Sequence, residues 1–171
     1  MSRWVVAGVV LFFCGCARQV EFDRQFDDAS RAMAETAIKP GPGEIRGQSF
    51  MRRATGATVT NAGDWVFLVP ATPYSDEVFI KLFGPARYRN WLTGNRGEVD
   101  ATMFVLARRV KANRSGTFVF EKVPLGRYYA TTQIMWVRRE NEIIPIPHGG
   151  CIYDEVEVTS EEPVEVILSG N

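Results

Sequence analysis

The sequence predicts an all-β fold, a sandwich of two antiparallel sheets with about seven strands. From residue 44 onward, apolar and polar residues alternate along short runs, as in strands that pack on one face and meet water on the other. Turn residues separate these runs, and many short strands with such turns are typical of a sandwich. The turn signals are Ala62-Gly63, Ser115-Gly116, Leu125-Gly126 and Glu162-Pro163.

The composition supports one domain with a real core. The chain has 171 residues, of which 46% are hydrophobic and 12% aromatic, so its core needs no metal or disulfide to hold it. The 20 basic and 20 acidic side chains balance, which gives no electrostatic basis for a nucleic-acid partner. We therefore expect no nucleic-acid partner and no small-molecule cofactor.

The N-terminus is predicted to be a signal peptide over residues 1–15. Arg3 supplies its positive end, and the apolar run from Trp4 to Phe13 follows. A membrane-spanning helix needs about 20 apolar residues, and this run is half that length. Its length is that of the apolar core of a signal peptide.

The end of that run, Phe13-Cys14-Gly15-Cys16, resembles a bacterial lipobox. The resemblance implies cleavage before Cys16 and a diacylglycerol on its thiol, which makes this lipid the only prosthetic group expected. It also implies a lipid-anchored protein of the bacterial cell envelope that faces the periplasm. Ala17 follows the anchor, and by analogy with enterobacterial lipoproteins it predicts the outer membrane rather than the inner. The alternatives are an ordinary secretory signal and a Cys-x-Cys metal or redox pair, which no second ligand cluster accompanies.

Residues 16–43 are predicted to be a lipidated tether with one amphipathic helix. Phe22, Phe26 and Met33 recur at helical spacing with charges between them, which predicts a helix roughly from Phe22 to Ile38. Pro40 and the proline two residues later cannot continue it. The alternative is a flexible tether.

The strands are predicted within residues 44–171. In the first strand, one face carries Ile45, Gly47, Ser49 and Met51. A second strand begins after the turn at Asn61. Phe118 and Phe120 alternate with polar neighbours and should face inward. Further alternating runs are "DWVFLVP", "GRYYATTQIMWV", "DEVEVTS" and "PVEVILSG".

These runs together resemble the carboxypeptidase regulatory-like domains, which are transthyretin-like sandwiches. The residues that carry the resemblance are Ile45, Gly47, Val66, Leu68, Pro70, Gly116, Phe118, Phe120, Val123, Pro124, Gly126 and Tyr128. The resemblance implies a structural core motif: a hairpin turn at Gly116, core side chains from both phenylalanines, a corner at Pro124 and Gly126, and Tyr128 packed inward from it. It implies an accessory fold and no catalytic activity.

The residues give little support to catalysis. His148 is the only histidine, and Cys151 and Asp154 lie near it, which suggests a nucleophile and base. No Gly-x-Ser-x-Gly motif is present, and His148-Gly149-Gly150 is interpreted as a turn. Two such ligands are too few for a structural zinc. We therefore expect a protein that is not an enzyme and holds no metal.

An insertion over residues 71–103 separates Pro70 from a strand predicted near Phe104. It mixes aromatic and basic side chains, which is typical of contact surfaces, and a short helix is predicted over residues 76–83. The candidate binding surface consists of Tyr74, Tyr88, Arg89 and Trp91. The alternative is that Phe79, Phe83 and Trp91 fold back to cover a sheet edge.

The leading functional hypothesis is a non-enzymatic envelope lipoprotein that binds another envelope protein or has a structural role. One alternative is a lipoprotein that binds peptidoglycan or another glycan through the aromatic residues of the insertion. Another is a subunit of a secretion apparatus, because type VI secretion systems contain a transthyretin-fold lipoprotein of similar size and architecture. The analogy with the secretion-system lipoprotein concerns the fold alone.

Overall fold

The computed structural model describes residues 17–138 and 145–170, so the lipobox with Cys16 lies outside the described residues. The helices within them are α1 Asp28–Ala37, α2 Pro73–Phe83 and α3 Thr102–Val105. The strands are β1 Gly43–Arg52, β2 Thr58–Thr60, β3 Trp65–Pro70, β4 Tyr88–Asn90, β5 Arg108–Lys111, β6 Thr117–Val123, β7 Gly126–Arg138, β8 Ile146–Val158 and β9 Val164–Gly170.

The strands form two facing sheets, which confirms the predicted sandwich. One sheet has β1 at its centre, with β6 and β2 along one edge and β9 along the other. The second sheet has the order β4-β8-β7-β3-β5. The β1–β9 pair is parallel, and every other pair is antiparallel. Alternation could not predict this direction, because side chains alternate with period two in both kinds of pair.

The core between the sheets contains the alternating residues of β1, β3, β6 and β7. Phe118 and Phe120 are 2% and 1% exposed, on the inward face that the alternation predicts. Gly47 leaves room for Phe118, because a Cβ atom there would lie 2.3 Å from the phenyl ring. Tyr128 is also buried, and its hydroxyl donates to the carbonyl of Pro124 at 3.0 Å, which fixes the corner before β7.

The outer face of the five-stranded sheet carries a second apolar core. α2 lies on this face, and Val78 and Phe79 pack there with Val69 and Tyr129. The expectation of one wet face is therefore wrong for this part of the sheet. The helix predicted within the insertion is confirmed, but it covers a sheet face rather than an edge.

The N-terminal segment packs on the insertion instead of forming a tether. α1 begins at Asp28 rather than at Phe22, because Asp27 caps it by accepting the amide of Ser30 at 2.8 Å. The residues before it are held by other partners: Phe22 lies edge-on to Tyr74 with ring centroids 6.0 Å apart. The prediction of a helix upstream of Asp27 is therefore wrong.

Two further predictions are wrong in detail. Phe104 belongs to α3, and the strand expected near it is β5, which begins at Arg108. His148, Gly149 and Gly150 lie inside β8 rather than in a turn, and His148 pairs with Trp136 of β7.

Candidate binding site

A pocket of about 400 Å³ lies between the outer face of the five-stranded sheet and the insertion. Strands β3, β7 and β8 form its floor, and α2 and α3 form walls. Its main apolar side chains are Phe67, Phe79, Phe83, Val99, Met103 and Phe104. Its polar side chains are Arg89, Thr131, Gln133 and Cys151. A volume of this size with a few polar groups is typical of small-molecule sites.

The wall formed by α2 begins at a well-defined cap. Thr72 and Ser75 form a capping box, in which each side chain accepts the other's amide at 3.1 and 2.7 Å. Pro73 occupies the first turn, where its missing N–H costs nothing. The helix then packs through Phe79, whose ring stacks on Tyr129 with centroids 4.3 Å apart and planes at 23°.

Asp76 ties the same helix to β7. Its carboxylate accepts from the Tyr129 hydroxyl at 2.7 Å and from the Arg127 guanidinium at 2.7 Å. Burial, together with the hydrogen bond to Asp76, raises the pKa of Tyr129. The phenol therefore keeps its proton to a higher pH than an ordinary tyrosine, and its hydrogen bond to Asp76 ties the α2 wall to the sheet.

Arg89 brings a cation to the pocket. It lies on β4 next to Cys151 of β8, and its guanidinium donates to the carbonyl of Asn95 at 3.2 Å and approaches the Cys151 sulfur at 3.6 Å. It also lies 5.9 Å from the centre of the Phe83 ring. Gln133 pairs with Cys151 across the adjacent ladder and is exposed. A guanidinium and a carboxamide thus stand beside an aromatic wall.

The predicted binding residues do not form one surface. Tyr74 is 3% exposed, and its hydroxyl accepts the Asp100 amide at 2.8 Å, so its assignment to a binding surface is wrong. Tyr88 is half-buried against the core and donates to the Gly149 carbonyl at 3.1 Å. Arg89 enters the pocket, whereas Trp91 is 48% exposed on a separate loop.

Three pocket residues were not predicted from the sequence: Phe67, Phe104 and Gln133. Phe67 and Gln133 occupy outward positions of β3 and β7. The phenylalanine at an outward position of β3 was a signal, because an outward aromatic residue needs either a cover or a ligand. Phe104 could not be found in this way, since it lies in the short helix α3, where strand alternation does not apply.

The three residues that suggested catalysis do not meet. His148 and Cys151 are on opposite faces of β8, and the His148 ring stacks near Trp136 with centroids 6.3 Å apart. Asp154 pairs with Arg87. In residues 17–138 and 145–170, His, Cys, Asp and Glu side chains form no group of three or more suited to a metal ion.

The helices are short. None of those in the described part of the chain combines the length and the apolar character that crossing a bilayer requires.

The chain is similar in fold to a solved structure from Pseudomonas aeruginosa, the "putative carbohydrate binding protein (PA1324)". The two share 22% identity with a TM-score of 0.69, over 84% of this chain and 98% of the other. A 9R-lipoxygenase from Cyanothece aligns at 12% identity and a TM-score of 0.29, over 84% of this chain and 20% of its own length, which is too weak for an argument. No protein-family model matches the chain, and no curated protein matches its sequence. The comparisons therefore establish a sandwich fold shared with the Pseudomonas protein, and the resemblance to carboxypeptidase regulatory-like domains stays a prediction.

Proposed function

We propose that this chain is a non-enzymatic binding protein that recognises a saccharide in the pocket between α2, α3 and the five-stranded sheet. A sugar ring has an apolar face of C–H groups and a rim of hydroxyls, so its site needs an apolar wall beside hydrogen-bonding groups. The glycan alternative of the sequence analysis is thereby preferred to the protein-binding hypothesis, and its site is moved from the insertion loop to the pocket.

One observation carries the proposal: the aromatic wall and the polar groups face the same space. Phe67, Phe83 and Phe104 line the pocket together with Arg89 and Gln133. Guanidinium and carboxamide groups donate to hydroxyl oxygens, and the carboxamide also accepts from hydroxyl groups. Such a mixed lining suits a ligand that is polar at its edge and apolar on its face.

The similarity in fold adds support of a weaker kind. The Pseudomonas protein carries carbohydrate binding in its name, and the alignment spans nearly all of its chain. At 22% identity the likeness concerns the fold, so the ligand class rests on the pocket residues of this chain.

We further propose that the protein is held at a membrane of the cell envelope by the lipid on Cys16, with the outer membrane favoured by Ala17. Two or three acyl chains give stable attachment where a single chain gives marginal attachment. Metabolic labelling with palmitate tests the anchor. Labelling should disappear in Cys16→Ala and persist in Cys14→Ala.

Sedimentation with purified cell wall, followed by titration with soluble fragments of the same glycan, tests the saccharide proposal. Phe104→Ala should weaken binding by about tenfold, the effect of about 1.4 kcal/mol. Val105→Ala is the matched control, because Val105 is the next residue, is 76% exposed and lies outside the pocket lining. Equal loss in both variants, or no depletion of the wild-type chain by any glycan, would remove the proposal.

The hypotheses of an envelope protein partner and of a secretion-apparatus subunit remain proposals of lower rank. A crosslinked pull-down of the mature chain from envelope extract tests the first, and the gene neighbourhood tests the second. A partner recovered equally by wild-type and Phe104→Ala chains would assign protein binding to a surface outside the pocket.

A further inference from the structure

We propose that Ile80, Trp91 and Leu92, with Arg18 and Arg96, form a membrane-facing patch that rests on the lipid bilayer and fixes the orientation of the protein. This inference relies on the lipid anchor proposed for Cys16 and is independent of the saccharide pocket.

The chain next to the anchor is bonded to Arg96. The Val20 amide donates to the Arg96 carbonyl at 2.7 Å, and the Arg96 amide donates to the Arg18 carbonyl at 2.9 Å. Only Ala17 separates Arg18 from Cys16, and two extended residues span about 7 Å at most. A lipid on Cys16 therefore brings the bilayer surface close to Arg96 and the loop before it.

The loop before Arg96 exposes two large apolar side chains. Trp91 and Leu92 are 48% and 47% exposed, in adjacent positions. Exposed apolar residues in such a group usually mark a contact with a protein or a membrane. Tryptophan in particular favours the interface between headgroups and acyl chains, because its ring is apolar and its N–H is polar.

Hydrogen bonds hold this loop in one shape. The Asn90 side chain accepts the amides of Leu92 and Thr93 at 2.8 and 3.1 Å, and the Gly94 amide returns to the Asn90 carbonyl at 3.0 Å. The Trp91 amide donates to β8 at the Gly149 carbonyl, at 3.0 Å. A loop held in this way presents its side chains with little loss of conformational entropy on binding.

The same loop lies next to α2 and the N-terminal segment. The Asn95 side chain donates to the Lys81 carbonyl at 2.8 Å, at the end of α2. Ile80, which is 65% exposed, lines a shallow recess together with Asn95 and Arg18. The apolar side chains and the segment that follows the anchor thus lie at the same end of the molecule.

The charges of the patch fit a bacterial phospholipid surface. Arg18 and Arg96 are both exposed, and basic side chains near an anionic headgroup layer contribute attraction over about a Debye length. Arginine next to exposed tryptophan and leucine is the composition of interfacial membrane contacts.

Tryptophan quenching tests the patch in the lipidated full chain, whose lipid is first verified by mass spectrometry. The vesicles consist of phosphatidylethanolamine and phosphatidylglycerol with brominated acyl chains. The variant Trp65→Phe/Trp136→Phe keeps Trp91, and its emission should shift to the blue and fall by about half, as expected for an interfacial indole. The matched control, Trp91→Phe/Trp136→Phe, keeps Trp65, which is 41% exposed on β3, and strands β8 and β7 separate β3 from β4. Its emission should change little.

A second measurement needs no tryptophan substitution. In the wild-type lipidated chain, hydrogen exchange over residues 91–96 should slow on the same vesicles relative to detergent, and exchange over the exposed turn at Leu125 should not.

Equal quenching of Trp91 and Trp65, with no slowing over residues 91–96, would overturn the patch and leave the anchor intact. If the purified chain carries no lipid, both the anchor and the patch are overturned. The saccharide proposal is tested by a separate experiment, the sedimentation with cell wall. Crosslinking of the loop to an envelope protein, with Trp91 unquenched, would overturn the patch and assign the loop to that partner.

Discussion

Phe104 lies edge-on against Phe67, with ring centroids 5.6 Å apart and ring planes at 77°. Phe67 belongs to β3 of the sandwich, and Phe104 belongs to α3 in the insertion. Each part of the molecule thus supplies one ring of the pocket wall. An edge-to-face pair holds both rings in defined orientations, and Phe104 is still 38% exposed. The wall is therefore already formed before a ligand arrives.

The polar side of the pocket can be tested at Gln133. Gln133→Leu keeps the size of the side chain and removes its donor and acceptor, so saccharide affinity should fall by about tenfold, or about 1.4 kcal/mol. Thermal stability should change little, because the residue is exposed. Isothermal titration measures the affinity. Gln48→Leu is the control, an exposed position on β1 of the other sheet. Unchanged affinity in Gln133→Leu would exclude the carboxamide from ligand binding.

Cys151 gives a second probe of the same pocket. It lines the pocket beside Arg89 and is partly exposed. We expect a bound saccharide to slow alkylation of Cys151, and alkylation to abolish saccharide binding by filling the pocket. Mass spectrometry of the mature chain treated with N-ethylmaleimide measures the rate. A rate that is the same with and without saturating saccharide would place the ligand elsewhere.

The pocket also depends on α2 staying in place. Phe79 is buried against Tyr129, so Phe79→Ala should lower the free energy of unfolding by about 3–5 kcal/mol and weaken saccharide binding as well. Urea denaturation measures the first effect. Ile80→Ala, at the neighbouring exposed position of the same helix, should change stability by about 0.5 kcal/mol or less. A Phe79→Ala chain with wild-type stability would show that α2 contributes little to the fold.

How much of this arrangement the sequence could reveal depends on the kind of signal. Alternation identified Phe118 and Phe120 as inward-facing because a strand with one buried face repeats every two residues. Alternation along "GRYYATTQIMWV" placed Tyr128 on the inner face and treated Tyr129 as wet. Tyr129 is 4% exposed because α2, more than 40 residues earlier in the chain, returns to cover it. Periodicity contains no information about which distant segment covers a face.

The candidate site was harder to predict for the same reason. Arg89 was identified by its aromatic neighbours in sequence, yet its partners in the pocket, Cys151 and Gln133, come from β8 and β7. Tyr74 was assigned to a surface by composition and is buried instead under Phe22 and Phe26, which come from the segment thought to be a tether. Composition shows that a segment is rich in contacts, but it does not show whether those contacts are internal.

The inter-sheet core gives a direct test of the alternation. Phe120 is 1% exposed, and Phe120→Ala should lower the free energy of unfolding by about 3–5 kcal/mol, because it removes a buried ring and leaves a cavity. Val119→Ala is the control on the opposite face, where the side chain is 39% exposed, and it should cost about 1 kcal/mol or less. Urea midpoints compare the two. Equal midpoints would mean that the two faces of β6 are assigned the wrong way round.

Docking of the N-terminal segment should depend on pH through Glu77. Burial alone would raise the pKa of this carboxyl group, but hydrogen bonds from Lys81 and from the amides of Asp23 and Arg24 outweigh it and lower the pKa from 4.5 to about 2. The two amides donate to the carboxylate at 2.6 and 2.9 Å. Because the pKa in the folded state is depressed, the stabilisation is complete above pH 4.5 and is lost as the pH falls through about 2.

The amide chemical shifts of Asp23 and Arg24 report this titration by NMR. Both should change together with a midpoint well below 4.5, and Glu77→Gln should remove the titration and loosen the segment at neutral pH. Glu98→Gln, an exposed carboxylate beside the same segment, should leave both amides unchanged. A midpoint near 4.5 in the wild-type chain would mean that Glu77 does not hold these amides in solution. In that case residues 23 and 24 would be released from α2, whereas the backbone hydrogen bonds that join Val20 and Arg18 to Arg96 do not depend on Glu77.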